Sequence, residues 1–172
     1  LWVNVSGTGS IAIGRLALSA NTVGENIAVG ARALHVNTTG ANNTAVGIEC
    51  MDDNTTGQNN TAVGHLALQK NDTASNNTAI GKEALERNVT GGNCTAVGFQ
   101  ALENSTATGN TALGYLAGDT TTSGANNTIL GASAAASSAT VSNEITLGNS
   151  SIATLRCQVT TITSLSDRRD KD

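Results

Sequence analysis

Hydrophobic and polar positions alternate along this chain in short bursts that return at a nearly constant interval. One residue before each of a series of glycines (Gly14, Gly30, Gly47, Gly64, Gly81, Gly98, Gly114, Gly131 and Gly148) stands an aliphatic residue: Ile13, Val29, Val46, Val63, Ile80, Val97, Leu113, Leu130 and Leu147. Three before the glycine come Ile11, Ile27, Thr44, Thr61, Thr78, Thr95, Thr111, Thr128 and Ile145, β-branched throughout. In a strand these two positions share a face and the residue between them faces the other way. That middle residue is Ala in the first seven units, Ala12, Ala28, Ala45, Ala62, Ala79, Ala96 and Ala112. Successive glycines are 16 or 17 residues apart. A unit this short holds two short strands and two turns but no helical hairpin, so the pattern predicts an all-β fold of about nine stacked coils over residues 10–150.

After each glycine a second segment ends in Ala-Leu (Ala17-Leu18, Ala33-Leu34, Ala67-Leu68, Ala84-Leu85, Ala101-Leu102), with Cys50-Met51 as a variant of similar size and polarity. It is read as the second strand of the coil, joined to the first by a glycine corner on one side and by an Asn/Thr/Gly loop on the other. Asn-Thr-Thr-Gly at 37–40 and 54–57 supplies residues suited to left-handed or amide-bonded turns. Asn26, Asn43, Asn60, Asn77, Asn110 and Asn127 all lie four before the glycine, so parallel stacking predicts an amide ladder. That pattern also accounts for the many Asn-x-Thr triplets without glycosylation. The pre-glycine aliphatics are expected inside. The Ala column opposite them is expected to form a second buried surface where another chain approaches, since two or three aliphatic side chains per coil make a thin core for a lone chain.

Composition narrows the function classes. The chain has no Pro, is 2% aromatic and carries a formal charge of -4, which argues against phosphate-backbone binding and against an ordinary globular core. No apolar run approaches the roughly 20 residues that span a bilayer, so no membrane insertion is expected. Leu1-Trp2-Val3-Asn4 has neither an initiator Met nor a basic leader, and the chain reads as a soluble piece of something longer. Cys50 and Cys94 occupy phases held elsewhere by Ala and Asn, Cys157 stands alone, and no CxxC or Cys/His spacing appears; they are read as small buried residues, with no metal or cofactor site expected. His35 and His65 fall at different phases. Glu49 and Glu83 share a phase two coils apart, roughly 10 Å, near the separation of an inverting glycosidase pair. With Trp2, Phe99 and Tyr115 scattered, they are read as solvated surface carboxylates.

The units N-N-T-A-V-G-x-x-A-L, as in Asn42-Asn43-Thr44-Ala45-Val46-Gly47, resemble the left-handed parallel β-roll repeats of trimeric autotransporter adhesin heads. They are closer still to the versions in phage and other viral tail-fibre proteins. The resemblance spans about Ser10 to Ser150 and implies three parallel rolls side by side about a threefold axis. Residues 1–9 then end an upstream segment. Residues 151–165 lose the glycine phase and become rich in β-branched residues, as expected for a β stalk intertwined with partner chains; a helix with Ile152, Leu155, Val159 and Ile162 on one face is the rival reading. Ser166-Asp167-Arg168-Arg169-Asp170-Lys171 resembles the opening S-D-x-R-x-K of the endosialidase-type intramolecular chaperone, a self-cleaving module that trimerises fibres. That resemblance implies Ser166 as nucleophile, Lys171 as its base and Leu165-Ser166 as the scissile bond of a precursor. Only residues 166–172 of such a module are present, so no activity is expected of it in this chain.

The expectation is therefore a non-catalytic structural and host-adhesion segment of a viral tail fibre: a homotrimer on the virion that meets a host surface glycan or protein and binds no nucleic acid. An ice-binding β-solenoid is the alternative suggested by the Thr column. It is weakened because these threonines share a phase with Ile11, Ile27 and Ile145 and so are expected to point inward. A polysaccharide-cleaving tailspike is a third reading.

Overall fold

The computed structural model describes residues 9–22 and 24–154. Among them are nine strands of three residues each: β1 (Ile11–Ile13), β2 (Ile27–Val29), β3 (Thr44–Val46), β4 (Thr61–Val63), β5 (Thr78–Ile80), β6 (Thr95–Val97), β7 (Thr111–Leu113), β8 (Thr128–Leu130) and β9 (Ile145–Leu147). They form one parallel sheet in sequence order. Every pairing keeps the glycine phase, as in Thr44↔Thr61, Ala45↔Ala62 and Val46↔Val63 between β3 and β4. The fold is a parallel β-solenoid of about eight turns, as the period predicts.

The inward face is the reverse of the expected one. Ala28, Ala45, Ala62, Ala79, Ala96 and Ala112 are completely buried within their own coil, whereas Val46, Val63, Ile80 and Leu113 on the other face are 36–53% exposed. The reason is volume. The coil is so flat that one large side chain per turn fills it, and the segment after the glycine already supplies that side chain in Leu18, Leu34, Met51, Leu68, Leu85 and Leu102, all essentially buried. A second branched residue from the strand would overpack the interior. The Ala column therefore belongs to the core of each roll and is no surface for another chain.

The segment after the corner glycine is also not a strand. Its second and fourth residues adopt left-handed backbone angles, Arg32 at φ 61° and Leu34 at φ 50°, Glu49 at 53° and Met51 at 52°, Leu66 at 60° and Leu68 at 53°. This alternation bends the chain into an arc and sends successive N–H groups in opposite directions. Arg32 donates back to the Arg15 carbonyl at 2.8 Å, and Leu34 donates forward to Cys50 at 3.0 Å. Each arc is thus bonded to both neighbours without being a ladder strand. The sequence obeys the steric rule for such angles: among the described residues, the non-glycine residues with positive φ include Leu, Met, Glu, Gln, Arg, Asn and Ser but no Val, Ile or Thr. β-Branched residues, in the strands and elsewhere among the described residues, keep to positions without a left-handed angle.

The corner glycines hold the coils at their closest approach. Gly47 has φ 148°, and a Cβ there would collide with the carbonyl of Gly64 in the next coil; the same contact recurs from Gly14 to Gly114. Side chains are excluded by the neighbouring backbone as much as by the dihedral.

Two amide columns seal the other side of the roll. Four before the glycine, the expected ladder is present and buried. Asn60 Oδ1 accepts the Asn77 N–H at 2.9 Å while its Nδ2 donates to the Ala74 carbonyl at 2.9 Å, and Asn43 repeats this with Asn60 and Gly57. A second column at the start of the return loop runs Asn21, Asn37, Asn54, Asn71, with side-chain amides linked at 2.8, 2.7 and 2.6 Å. It stops where Asn88 turns its amide to Gly91, leaving Asn71 Oδ1 without a hydrogen bond. The residue before each ladder asparagine, such as Asn42, Asn59 and Asn76, has φ of 57–62° and is exposed. The Asn-Asn pairs of the repeat therefore divide their work: the first makes the left-handed turn, and the second bonds the coils.

Candidate interaction face

The strands present two columns outward along the whole rod. One is the Ile/Thr column from Ile11 to Ile145; the other is the aliphatic column from Ile13 to Leu147. Ile13 is 55% exposed, Ile80 41% and Leu147 50%, while Val29, Val97 and Leu130 are half-buried, so the stripe is open in six of its nine coils. A parallel sheet ordinarily has both faces covered. Here the inner face packs on the arcs while the outer face is a continuous apolar ribbon, the kind of surface that marks contact with another molecule. The threonines on it point away from the roll, contrary to the inward orientation expected of them.

Beyond the corner glycine a further column carries Ile48, His65, Lys82, Phe99 and Tyr115 in consecutive coils. The rings of Phe99 and Tyr115 stack with centroids 5.4 Å apart and 13° between planes, and Lys82 Nζ lies 5.5 Å from the Phe99 centroid. These two aromatics are neighbours, where the sequence reading has them scattered. Counting each from its own glycine, one residue on in both cases, is the signal that would have joined them.

Charged groups gather along the arcs. Asp52 is 2% exposed and accepts Arg32 Nε and Nη2 on one oxygen at 3.1 and 2.6 Å. That bond holds the Arg32 guanidinium above its ordinary pKa. His35 Nδ1 approaches the other Asp52 oxygen to 3.3 Å without completing a hydrogen bond, so His35 does have an acidic neighbour in the coil above. Glu83 is bound by Lys82 at 3.0 Å and by Gln100 Nε2 at 2.7 Å, and its pKa is lowered chiefly by the Lys82 bond. Glu49 and Glu83 are half-buried rather than fully solvated, and the second is engaged by its own neighbours. Desolvation raises Asp53 and Glu103.

Cys50 and Cys94 are free and buried, as expected. Burial pushes the Cys50 thiol up to about 12, far from the range of a reactive thiolate, and its Sγ lies 3.3 Å from the Ala62 carbonyl. Among the described residues no group of His, Cys, Asp and Glu is placed to hold a metal ion, and no helix is long and apolar enough to cross a membrane. Trp2, Cys157, the 151–165 stalk beyond residue 154, the Leu165-Ser166 bond, Ser166 and Lys171 lie outside the described residues.

No protein-family model matches the chain, and no curated protein matches it in sequence. The likeness to adhesin and tail-fibre repeats rests on the repeat motif.

Proposed function

We propose that this chain is a structural and host-adhesion segment of a viral tail fibre in which three left-handed rolls pack in parallel through their outward sheet faces. The observation that carries the reading is the apolar ribbon, one outward aliphatic side chain per coil from Ile13 to Leu147, six of the nine exposed and Val29, Val97 and Leu130 half-buried. Burying such a ribbon against identical ribbons is favourable and keeps the coils of all chains in step, since every column has the same rise. This replaces the expectation that the Ala column mediates assembly. Repetition then gives a stiff rod whose exposed loops and corners can make many weak contacts with a host surface glycan or protein. The repeat region performs no catalysis in this reading.

Maturation belongs to the same proposal. In a precursor that carries the remainder of the chaperone, Lys171 takes the proton of the Ser166 hydroxyl as its oxygen attacks the Leu165 carbonyl, the Leu165–Ser166 C–N bond breaks with a proton passing to the Ser166 nitrogen, and water hydrolyses the resulting ester so that the fibre chain ends in the Leu165 carboxylate. Sedimentation of the segment at micromolar concentration tests the assembly, and intact masses of the precursor with Ser166→Ala and Lys171→Ala test the cleavage. A monomer sinks the first; equal processing of all three sinks the second.

One observation favours a second reading. Thr44, Thr61, Thr78, Thr95, Thr111 and Thr128 stand on the outward face in consecutive coils, roughly 4.8 Å apart, beside a column of methyl groups. A flat, regular array of hydroxyls and methyls is the surface an ice-binding solenoid uses. The fibre reading is preferred because the array is flanked at both ends by isoleucines that gain from being covered. Thermal hysteresis by the isolated segment would reverse that preference.

A further inference from the structure

One level of the rod lacks the bonds that tie its return loops together at the levels below. There, two backbone N–H groups of one loop donate to a single carbonyl of the next: Thr38 and Thr39 to Thr55 at 2.9 and 3.1 Å, Thr55 and Thr56 to Asp72 at 2.9 and 3.2 Å, Asp72 and Thr73 to Val89 at 3.2 and 3.4 Å. The series then stops. No such bond joins Val89 or Thr90 to Thr106, where the loop above is one residue shorter, in the 16-residue unit from Gly98 to Gly114.

Side chains drop out at the same level. Thr38, Thr106 and Thr122 each donate Oγ1 to a carbonyl of the following coil, at 3.0, 3.3 and 3.1 Å, whereas Val89 at that position has no hydroxyl. In the buried ladder, Asn77 Oδ1 accepts the Cys94 N–H at 2.8 Å and Asn110 Oδ1 accepts the Asn127 N–H at 2.9 Å, but Cys94 offers the Asn110 N–H no amide oxygen. Asn60 and Asn77 donate Nδ2 to the Ala74 and Gly91 carbonyls at 2.9 and 3.0 Å; their counterpart here is the weaker thiol of Cys94, 3.2 Å from the Ala107 carbonyl. In the second column Asn88 is followed by Ser105, and the Asn88 amide closes on its own Gly91.

The rest of the circumference stays bonded across the same two coils. β6 pairs with β7 from Thr95↔Thr111 to Val97↔Leu113, and the arcs are joined by Leu85 N–H to the Ala101 carbonyl and Arg87 N–H to the Glu103 carbonyl, both at 3.0 Å. Within the loop wall itself one backbone bond remains, from Gly109 N–H to the Gly92 carbonyl at 3.0 Å.

We propose that this level is a one-sided flexure joint. The return-loop wall opens between residues 88–93 and 105–110 while the sheet and the arcs act as the hinge, so the rod bends at one defined coil. Opening gives up the Gly109–Gly92 bond and a thiol contact, where the levels below would also give up paired backbone bonds and amide links. Regions with fewer buried bonds open first, and the Gly91-Gly92 pair leaves the lower loop free to move. Because every strand stays paired, one end of the rod reorients against the other without loss of register. The joint follows from the hydrogen bonds of the single chain and does not depend on the fibre reading.

Cys50 and Cys94, both buried and free, supply the test, the first in a coil whose loops are fully tied and the second at the joint. Iodoacetamide alkylation of the native chain across a urea series, followed by peptide mass mapping, should modify Cys94 with little dependence on urea, because local opening exposes little surface. Cys50 should show the steep dependence of global unfolding. Comparing slopes removes any difference in the intrinsic reactivity of the two thiols. Hydrogen exchange should be fast in 88–93 and 105–110 and slow in β6, β7 and the arc from Phe99 to Leu102. Cys94→Asn restores the ladder and should slow exchange in 105–110 by about tenfold. Equal urea slopes for the two thiols, or loops that exchange no faster than 54–59 and 71–76, overturn the proposal. So does exchange of β6 and β7 in step with the loops, or a Cys94→Asn chain that exchanges like the wild type.

Discussion

Gly118 and Ile129 exchange volumes across the core. At the arc position where other coils place a leucine or methionine, this coil has Gly118, and at the strand position where earlier coils place alanine it has Ile129, which is 1% exposed. A Cβ on Gly118 would lie 2.9 Å from Ile129 Cδ1 and from Leu102 Cδ2, so the isoleucine occupies the leucine's room. One large side chain per turn is the rule, and either wall can supply it.

The two sites should therefore be strongly coupled. Ile129→Ala alone empties the coil and is expected to cost about 2–5 kcal/mol, while Gly118→Leu alone overpacks it by about 1–3 kcal/mol. The double variant restores the arrangement of the preceding coils at a backbone angle leucine already tolerates there, φ 67° at Gly118 against 51° at Leu102. Denaturant melts of the four proteins should give a double variant close to wild type, a coupling far from additive. Additive losses would mean that the cavity is shared more widely than the contact suggests.

Adjacent residues on β4 should respond oppositely. Val63→Asp places a charge on the outward ribbon and is expected to dissociate the assembly while leaving the roll folded. Ala62→Leu forces a side chain into a completely buried position and should unfold the coil. Sedimentation and far-UV circular dichroism, read together, separate dissociation from unfolding. If Val63→Asp unfolds the chain before dissociating it, the ribbon is not an interface.

The Asn59-Asn60 pair should likewise split. Asn60→Ala strands the Asn77 N–H in a buried place, at about 1–3 kcal/mol, while the Ala74 carbonyl keeps its bond from Asn71 Nδ2. Asn59 is exposed with φ 57°, so Asn59→Gly should be close to neutral, while Asn59→Val, β-branched at a left-handed angle, should destabilise. Thermal melts of the three variants check the order.

Acid and base titration should distinguish Glu83 from Glu103. The Glu83 pKa is depressed by Lys82 and Gln100, so its contribution is present above its unfolded pKa and is lost as pH falls through the lower folded value. Glu103 is raised by desolvation, so the folded state binds its proton more tightly and this group favours folding as pH falls. Glu83→Gln should lower the melting temperature at neutral pH and converge with wild type in acid. Glu103→Gln should raise it slightly at neutral pH, with the advantage shrinking as pH drops. Parallel melting curves across pH for either variant would contradict the assignment.

Much of this architecture is legible in the sequence because a solenoid converts spacing directly into neighbours. The glycine interval gives the register of all nine strands, and the ladder from Asn26 to Asn127 follows from it. The direction of the faces was not legible in the same way. In a three-residue strand, Val-outside and Val-inside have the same alternation, and larger aliphatics win the inside by default; only the leucine of the arc, packed against Ala62 and its equivalents, shows that the interior was already full. The arc itself escaped because leucine is not a turn residue. Its mark is an absence, no β-branched residue at the positions of Leu66 and Leu68 or their counterparts in the units from Gly14 to Gly131. Of the candidate face, the outward threonines and the Phe99-Tyr115 stack need only phase counting.

The contact between Gly47 and the Gly64 carbonyl, repeated up the rod, has an evolutionary corollary. No coil can be thickened or shortened where the backbones touch, so length cannot drift residue by residue; the difference between 16- and 17-residue units is absorbed in the return loops. What remains open is gain or loss of a whole coil by recombination between near-identical repeats. Each such event changes the rod by one fixed step while preserving every column, so the lineage can tune its reach without redesigning its surface.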